Sequence, residues 1–309
     1  MPHCMKSRSG WFAATVAAGV LMFTACTDTQ PEADNDTATG SQDQITIGAA
    51  QGLSGNTGLA YLYKYVLEDH GYNVEVQEFV DVAPVYAAVA AGDVDLYPAA
   101  WPEHTQKVYW QEHQDGLEDL GAIYDDAELF LAVPEYSEIR SIPDLPEHVD
   151  ELDGQITGIE PGTGISVMTQ QQVMPHYGLE EDFVLELSST SAMLDELDQA
   201  AEIEEDIVVT LWTPFEASVG HDMRALEDPD NIYGDPESVH TLGRNGFTED
   251  FPDVTSMIDN LSLTSQEMAE LEHVIVNEPD RDAQADAVQT WIDNQPEILE
   301  KMSAGLQSH

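Results

Sequence analysis

The sequence predicts an α/β fold in two lobes, joined by a hinge around an interlobe cleft. Three observations carry this expectation. Short β-rich runs alternate with stretches whose apolar residues recur every three or four positions. Removing a 25-residue leader from 309 residues leaves 284, which suits two lobes better than one. Two tryptophans, Trp101 and Trp212, end apolar runs beside Pro98, Pro102 and Pro214, where open α/β sheets take their ligands.

The chain opens on a leader over residues 1–25. Lys6 and Arg8 precede an apolar run that ends Leu21-Met-Phe-Thr-Ala-Cys26. A hydrophobic stretch closing on a small residue and then cysteine reads as a lipoprotein signal, too short and too early for a mature membrane span. Cys26 is then the lipidated first residue, and the protein hangs from a membrane by acyl chains. Residues 26–44 carry no aromatic or large aliphatic side chain beyond that cysteine. They cannot bury enough surface to offset ordering, so they read as a flexible tether. The only other cysteine, Cys4, lies in the leader, which leaves the mature domain without a disulfide or a thiolate nucleophile.

Nine Lys and Arg stand against 60 Asp and Glu, a net charge of −51; the leader holds two of the bases and no acid, so the mature balance is seven against 60, or −53. Repulsion excludes nucleic acid and anionic lipid surfaces as partners. Hydrophobic residues still make up 42% of the chain, enough for a proper core. The acids fall singly on amphipathic segments, a pattern suited to concentrated salt, where screening acts over about 3 Å at 1 M. No Asp-x-Asp-x-Asp-Gly loop with a glutamate at its twelfth position occurs, so no metal site is expected.

A first strand is expected at residues 45–48. A helix follows on Leu59, Leu62, Tyr63, Val66 and Leu67, closed by Gly71. Val74 and Val76 alternate in a second strand, residues 85–91 form a helix closed by Gly92, and residues 94–97 begin another strand. The apolar run 129–134 stops at a proline and marks the passage between lobes. The second lobe continues through residues 155–158, a glycine turn, a helix to Met174, a strand at 183–187 and another at 207–212. The chain returns at Val239-His-Thr-Leu242. Helices from Thr255 and from Ser265, and a single last helix over residues 283–302, complete the fold. The lobes are therefore expected at 45–130 with 243–309, and at 131–242.

The chemistry sits in three places. An electron-rich indole attracts a cation that cannot be hydrogen-bonded, and Trp101 and Trp212 offer two. The turn Gly158-Ile-Glu-Pro-Gly-Thr-Gly-Ile165 offers backbone N–H groups at a helix start, which attract a carboxylate. It lacks the Lys-Ser or Lys-Thr of a phosphate loop. Together these describe a receptor for a small zwitterion. Trp110 and Trp291 lie at helical spacing among apolar residues and read as core. Glu160 reads as a solvated or capping acid. No Gly-x-Ser-x-Gly elbow and no His-Glu-x-x-His occurs, so no catalytic residue and no cofactor is expected.

The order Asp81-Val-Ala-Pro-Val-Tyr86, Tyr97-Pro-Ala-Ala-Trp101, the glycine turn, Thr210-Leu-Trp-Thr-Pro214, Leu226-Glu-Asp-Pro229, Ile232-Tyr-Gly234 and Val239-His-Thr-Leu242 resembles the glycine betaine-binding proteins of ABC importers. The resemblance runs from about Ile45 to Trp291. It implies a two-lobed type II periplasmic-binding-protein fold, extracytoplasmic, that closes on a quaternary ammonium solute and delivers it to a permease with its ATPase. It also implies roles for single residues. Trp101 and Trp212 stack on the trimethylammonium, and the amides of Gly164 and Ile165, with Thr163 beside them, hold the carboxylate. His104 lies near the position of a family histidine that touches the carboxylate, at a shorter spacing from Trp101. Relatives carry a third tryptophan at the position of Thr163 or near Leu53, and neither is aromatic here. Tyr63, Tyr97, Phe130 and Phe215 are the candidates to replace it. The same receptor could take choline, carnitine, proline betaine or dimethylsulfoniopropionate.

Overall fold

A computed structural model describes residues 44–306, apart from 216, 218–220 and 279. The leader, Cys26 and the tether up to residue 43 lie outside the described residues.

The first strand, Gln44–Ala50 (β1), pairs in parallel with Asn73–Phe79 (β2) and with Leu96–Ala100 (β3). Between them run helix Ser54–Asp69 (α1) and helix Val82–Ala91 (α2). Asp81 caps α2 by accepting from the Val82 amide, and Gly92, at φ +79°, ends it in the left-handed conformation that glycine adopts without strain. Helix Lys107–His113 (α3) then leads into Leu117–Pro134 (β4), an 18-residue strand. The sequence shows only the last third of β4 as an apolar run, because its first part alternates apolar and acidic residues on a half-exposed surface.

β4 is where the chain changes sheets. Residues 117–127 pair antiparallel with Glu237–Arg244 (β9), and residues 128–132 pair antiparallel with Val209–Thr213 (β7). Three register shifts bend the strand within the β9 ladder, and Asp126, at φ 66°, sits just before the change of partner. The second sheet adds Gln155–Gly158 (β5), parallel to Val184–Leu187 (β6) and to β7, with Met223–Ala225 (β8) on the far end of β4. The full order is β2-β1-β3-β9-β4-β7-β5-β6.

Two hydrophobic cores follow from this arrangement. One draws on residues 45–127 and 239–302, with Tyr63, Tyr86, Tyr97 and Phe247 fully buried; the other draws on residues 131–233, around Leu131, Ile156, Val209 and Phe215. Leu53 and Trp101 pack against both. In the second, helix Gly164–Met168 (α4) continues through a π turn, Thr169–Val173, into Met174–Tyr177 (α5), and Thr190–Ile203 (α6) covers β5. Short helix Phe247–Asp250 (α7), Pro252–Asn260 (α8) and Ser265–Val276 (α9) return to the first core. α9 begins with a capping box in which Thr264 and Glu267 bond each other's backbone amides. The expected single last helix is in fact two, Arg281–Asp293 (α10) and Pro296–Ser303 (α11). Pro296 has no N–H to give and so starts a new helix instead of continuing the old one. Trp291 is buried in the first core, and Trp110 is partly buried against it.

Half-buried His240 on β9 and exposed Asp119 on β4 form a pair, Nδ1 to Oδ1 2.9 Å, with Glu103 at 3.6 Å from Nε2, an ion-pair distance longer than a hydrogen bond. Burial works against the charged imidazole, but the bond to Asp119 outweighs it and holds His240 above its ordinary value. Burial likewise opposes the Asp119 charge, yet that bond and the Gly121 amide hold it below the usual carboxylate range. A raised histidine contributes stability that is full below its unfolded value of about 6.5 and is lost as pH rises through the higher folded value. The depressed aspartate contributes above about 3.9 and loses its contribution as pH falls through its folded value. In thermal melts at fixed high salt, the melting temperature should therefore fall as pH rises past about 6.5, and His240→Gln should flatten that fall. An unchanged slope in the variant would exclude the pair as its source.

Candidate functional site

Two pairs of parallel strands, β1 with β3 and β5 with β7, aim their carboxyl ends at one cavity from opposite sides. β1 leads to Leu53 and α1, β3 to Trp101, β5 to the glycine turn, and β7 carries Trp212. The cavity holds about 650 Å3, including space open to solvent, and Trp101, Trp212, Thr163, Gly164 and Ile165 all line it. Sequence reasoning singled out these five, and the fold brings them together from both cores.

Trp101 is held by its loop. Its N–H donates to Gln106 Oε1 at 2.9 Å, its carbonyl accepts from the Gln106 N–H at 2.8 Å, and Tyr86 Oη donates to the same Oε1 at 3.0 Å. Burial pushes the Tyr86 phenol far up, with Tyr97 and Glu237 adding to it, so it stays a neutral donor. Beyond Trp101, buried Glu237 accepts from the N–H groups of His104 and Thr105, each at 3.0 Å, and from the Thr105 hydroxyl. The backbone that carries the indole is thus held by its own loop, which spares ordering entropy on binding.

Trp212 is 9% exposed, and Phe215 stacks on it with centroids 4.1 Å apart and planes 19° from parallel. Phe215 is fully buried and does not line the cavity; it backs the indole. The other candidates for a third wall also stand away from the cavity. Tyr63 is buried against Thr241 Oγ1, Tyr97 is buried edge-on to Tyr86, and Phe130 packs on the second core. The described aromatic walls are thus two, one from each core.

The glycine turn supplies the polar end. Thr163 is the N-cap of α4 by position, at φ −65° and ψ 150°, but its side chain caps no amide; Oγ1 lies 2.9 Å from the Glu160 carbonyl and 2.9 Å from Ser166 Oγ. The first-turn amides of Gly164 and Ile165 have no acceptor within the helix, and the positive end of the helical run from 164 to 177 adds to their field. Both residues line the cavity and no side chain caps the helix start, which suits an anion. Glu160 serves another helix: it accepts from the Thr190 N–H at 2.9 Å and the Thr190 hydroxyl at 2.8 Å, at the start of α6.

The two halves meet closely here. A methyl placed on Gly164 would stand 2.0 Å from Thr105 Cγ2, and one on Gly162, at φ +92°, would stand 2.3 Å from Asp81 Oδ2. Only glycine permits either approach.

His104 stands apart from the other expected residues. It is exposed and does not line the cavity, and its ring lies against Gly234, because the Glu237 bonds to its backbone N–H fix the loop. Its neighbour Thr105 lines the cavity in its stead. Gln106, Glu237 and Glu272 escaped sequence reasoning. For Glu272 a signal existed: it occupies the apolar stripe Met268, Leu271, Ile275 of α9, where an acid is out of place.

The family model for the substrate-binding domain of ABC-type glycine betaine transport systems matches residues 43–294. A curated relative, the glycine betaine/carnitine transport binding protein of Listeria monocytogenes, is 34% identical over 158 residues, which is 51% of this chain and 52% of that protein. The match thus spans about half the length of that relative. Among solved structures, the glycine/betaine/L-proline-binding protein of Borrelia burgdorferi superposes with a TM-score of 0.77 at 30% identity, covering 84% of this chain and 96% of that one. A lactococcal protein in its closed form with glycine betaine gives 0.75 at 25% identity, covering 84% and 99%. A choline-binding protein of an ABC transporter gives 0.76 at 24% identity, covering 87% and 94%, and shares the fold. That fold is the type II periplasmic-binding-protein fold. The matched family is a transport class and not an enzyme class. From the length of the match and the order of its elements, the chain belongs to the family of substrate-binding domains of ABC-type glycine betaine transport systems.

Proposed function

We propose that this protein is an extracytoplasmic receptor that closes on glycine betaine or a close quaternary ammonium relative and presents it to an ABC importer. The observation that carries the reading is the pairing, in one cavity, of two indoles with the amide-lined start of α4. The ammonium lies against Trp101 and Trp212, and the carboxylate accepts from Gly164 and Ile165, with Thr163 beside them. A cation over an indole contributes about 0.5 to 2 kcal/mol. Each hydrogen bond to a carboxylate contributes about 1.5 to 3 kcal/mol. Neither end suffices alone, so a zwitterion is the fitting ligand.

The lobes, built on the two cores, close by bending where β4 changes partners and where the chain returns before β9, a few residues ahead of the boundaries expected at 130 and 242. Closure excludes water and strengthens both electrostatic ends. Delivery requires a permease and an ATPase, as in the transport systems that define the family. No helix among the described residues is long and apolar enough to cross a membrane. Lipid attached at Cys26 holds the protein at the membrane. Replacing it by serine should release the protein from membranes into the soluble fraction; equal membrane retention would refute the anchor.

Titration of tryptophan fluorescence with glycine betaine, choline, carnitine and amino acids at high salt tests the ligand class. Betaine should quench or shift the emission saturably, and proline or alanine should not. Trp212→Ala should weaken betaine by about tenfold or more, since it removes a desolvated cation–π wall. Gly164→Ala should do the same by blocking the approach of Thr105. Trp291→Ala should instead lower the melting temperature and leave affinity within about twofold, because it empties core volume far from the ligand. Reversal of this ranking would overturn the site assignment.

A further inference from the structure

We propose that Glu272 is a specificity-determining anion of the site, taking with its carboxylate the place that a third aromatic ring would hold at the cationic end of the ligand. This rests on the reading of the cavity as a quaternary ammonium site. Glu272 is 3% exposed and lines the same cavity as Trp101 and Trp212. Among the described residues, the charged side chains that are buried are Glu237 and Glu272. Both belong to the surroundings of this cavity, whereas the other described acids are half-buried or exposed. Glu237 fastens the loop at His104 and Thr105, whereas Glu272 reaches the cavity wall.

The fold builds this position deliberately. Ser54 Oγ donates to Glu272 Oε2 at 2.8 Å. A methyl on Gly55 would stand 2.8 Å from Oε1, and one on Gly58 would stand 2.9 Å from Leu271 Cγ. Two glycines one turn apart on α1 thus let α9 lie close enough to bring the carboxylate to the first turn of α1, at the positive end of its dipole. The wall it belongs to carries no indole; Leu53, Leu59 and Met268 line the cavity beside it.

A buried carboxylate there acts on the ligand in two ways. It attracts the ammonium directly through a medium of low dielectric, where a full charge outweighs a ring quadrupole. It also repels the ligand's own carboxylate, which sends that end to the Gly164 and Ile165 amides of the other lobe. The second effect sets orientation, and the first makes the site more tolerant of cations that carry no carboxylate. Choline is such a cation, and 3,3-dimethyl-1-butanol is its uncharged carbon isostere.

Calorimetry on the full chain at high salt, with glycine betaine, choline and 3,3-dimethyl-1-butanol, tests the proposal. The wild-type protein should prefer choline over the isostere by about tenfold or more. Glu272→Gln should narrow that preference by about fivefold or more, and should raise the ratio of betaine to choline affinity. If circular dichroism shows that the glutamine variant does not fold, Glu272→Met removes the charge with similar volume and should give the same result. An unchanged preference and ratio would overturn the proposal. So would an equal loss for all three compounds with a lower melting temperature, which is the signature of a mere tie between α1 and α9. A wild-type protein that binds neither betaine nor choline sinks the receptor reading itself, and the role of Glu272 with it.

Discussion

The approach of the glycine turn to the opposite lobe is the constraint on which the rest depends. Gly162 lies against Asp81 and Gly164 against Thr105 at distances that leave no room for a Cβ. Because of that contact, the open end of α4 and the loop that carries Trp101 face one another across one cavity. Each half alone is weak, an indole on one side and a few amides on the other. Brought together and shielded from water, they suit both ends of a zwitterion, which is the basis of the proposed function.

Much of the architecture was legible from punctuation in the sequence. Gly71 and Gly92 end helices where expected, Asp81 caps one, and Pro102 and Pro214 stand just past the ends of β3 and β7, at the cleft. Local chemistry decides these features, so local sequence reveals them. The break between α10 and α11 at Pro296 was equally local, but the apolar spacing runs on through it and conceals it. α6 was not foreseen, although Ser189 caps it by accepting from the Ala192 amide.

What remained hidden depends on contacts far apart in the chain. Glu237 matters because it grips the Trp101 loop across 132 positions; Gln106 grips it from five positions away, and was missed because a lone glutamine carries no motif. Glu272 meets Ser54 across 218. Spacing cannot foretell such meetings. Phe215 is a local case: three positions after Trp212, its nearness was plain but not which side of the indole it takes, and it stands behind the ring instead of opposite it. The basic residues follow a similar logic: Arg224 holds the carbonyls of Glu135, Ser137 and Ile139, and Arg244 joins Asp95 to Asp250, so scarce cations tie loops together while the surface acids face solvent.

The most direct measurement is a crystal structure of the protein grown with glycine betaine. The account predicts the trimethylammonium between the rings of Trp101 and Trp212, and the carboxylate within hydrogen-bond distance of the Gly164 and Ile165 amides. Betaine bound with its carboxylate turned toward α1 and Glu272, or lodged outside the cleft, would contradict it.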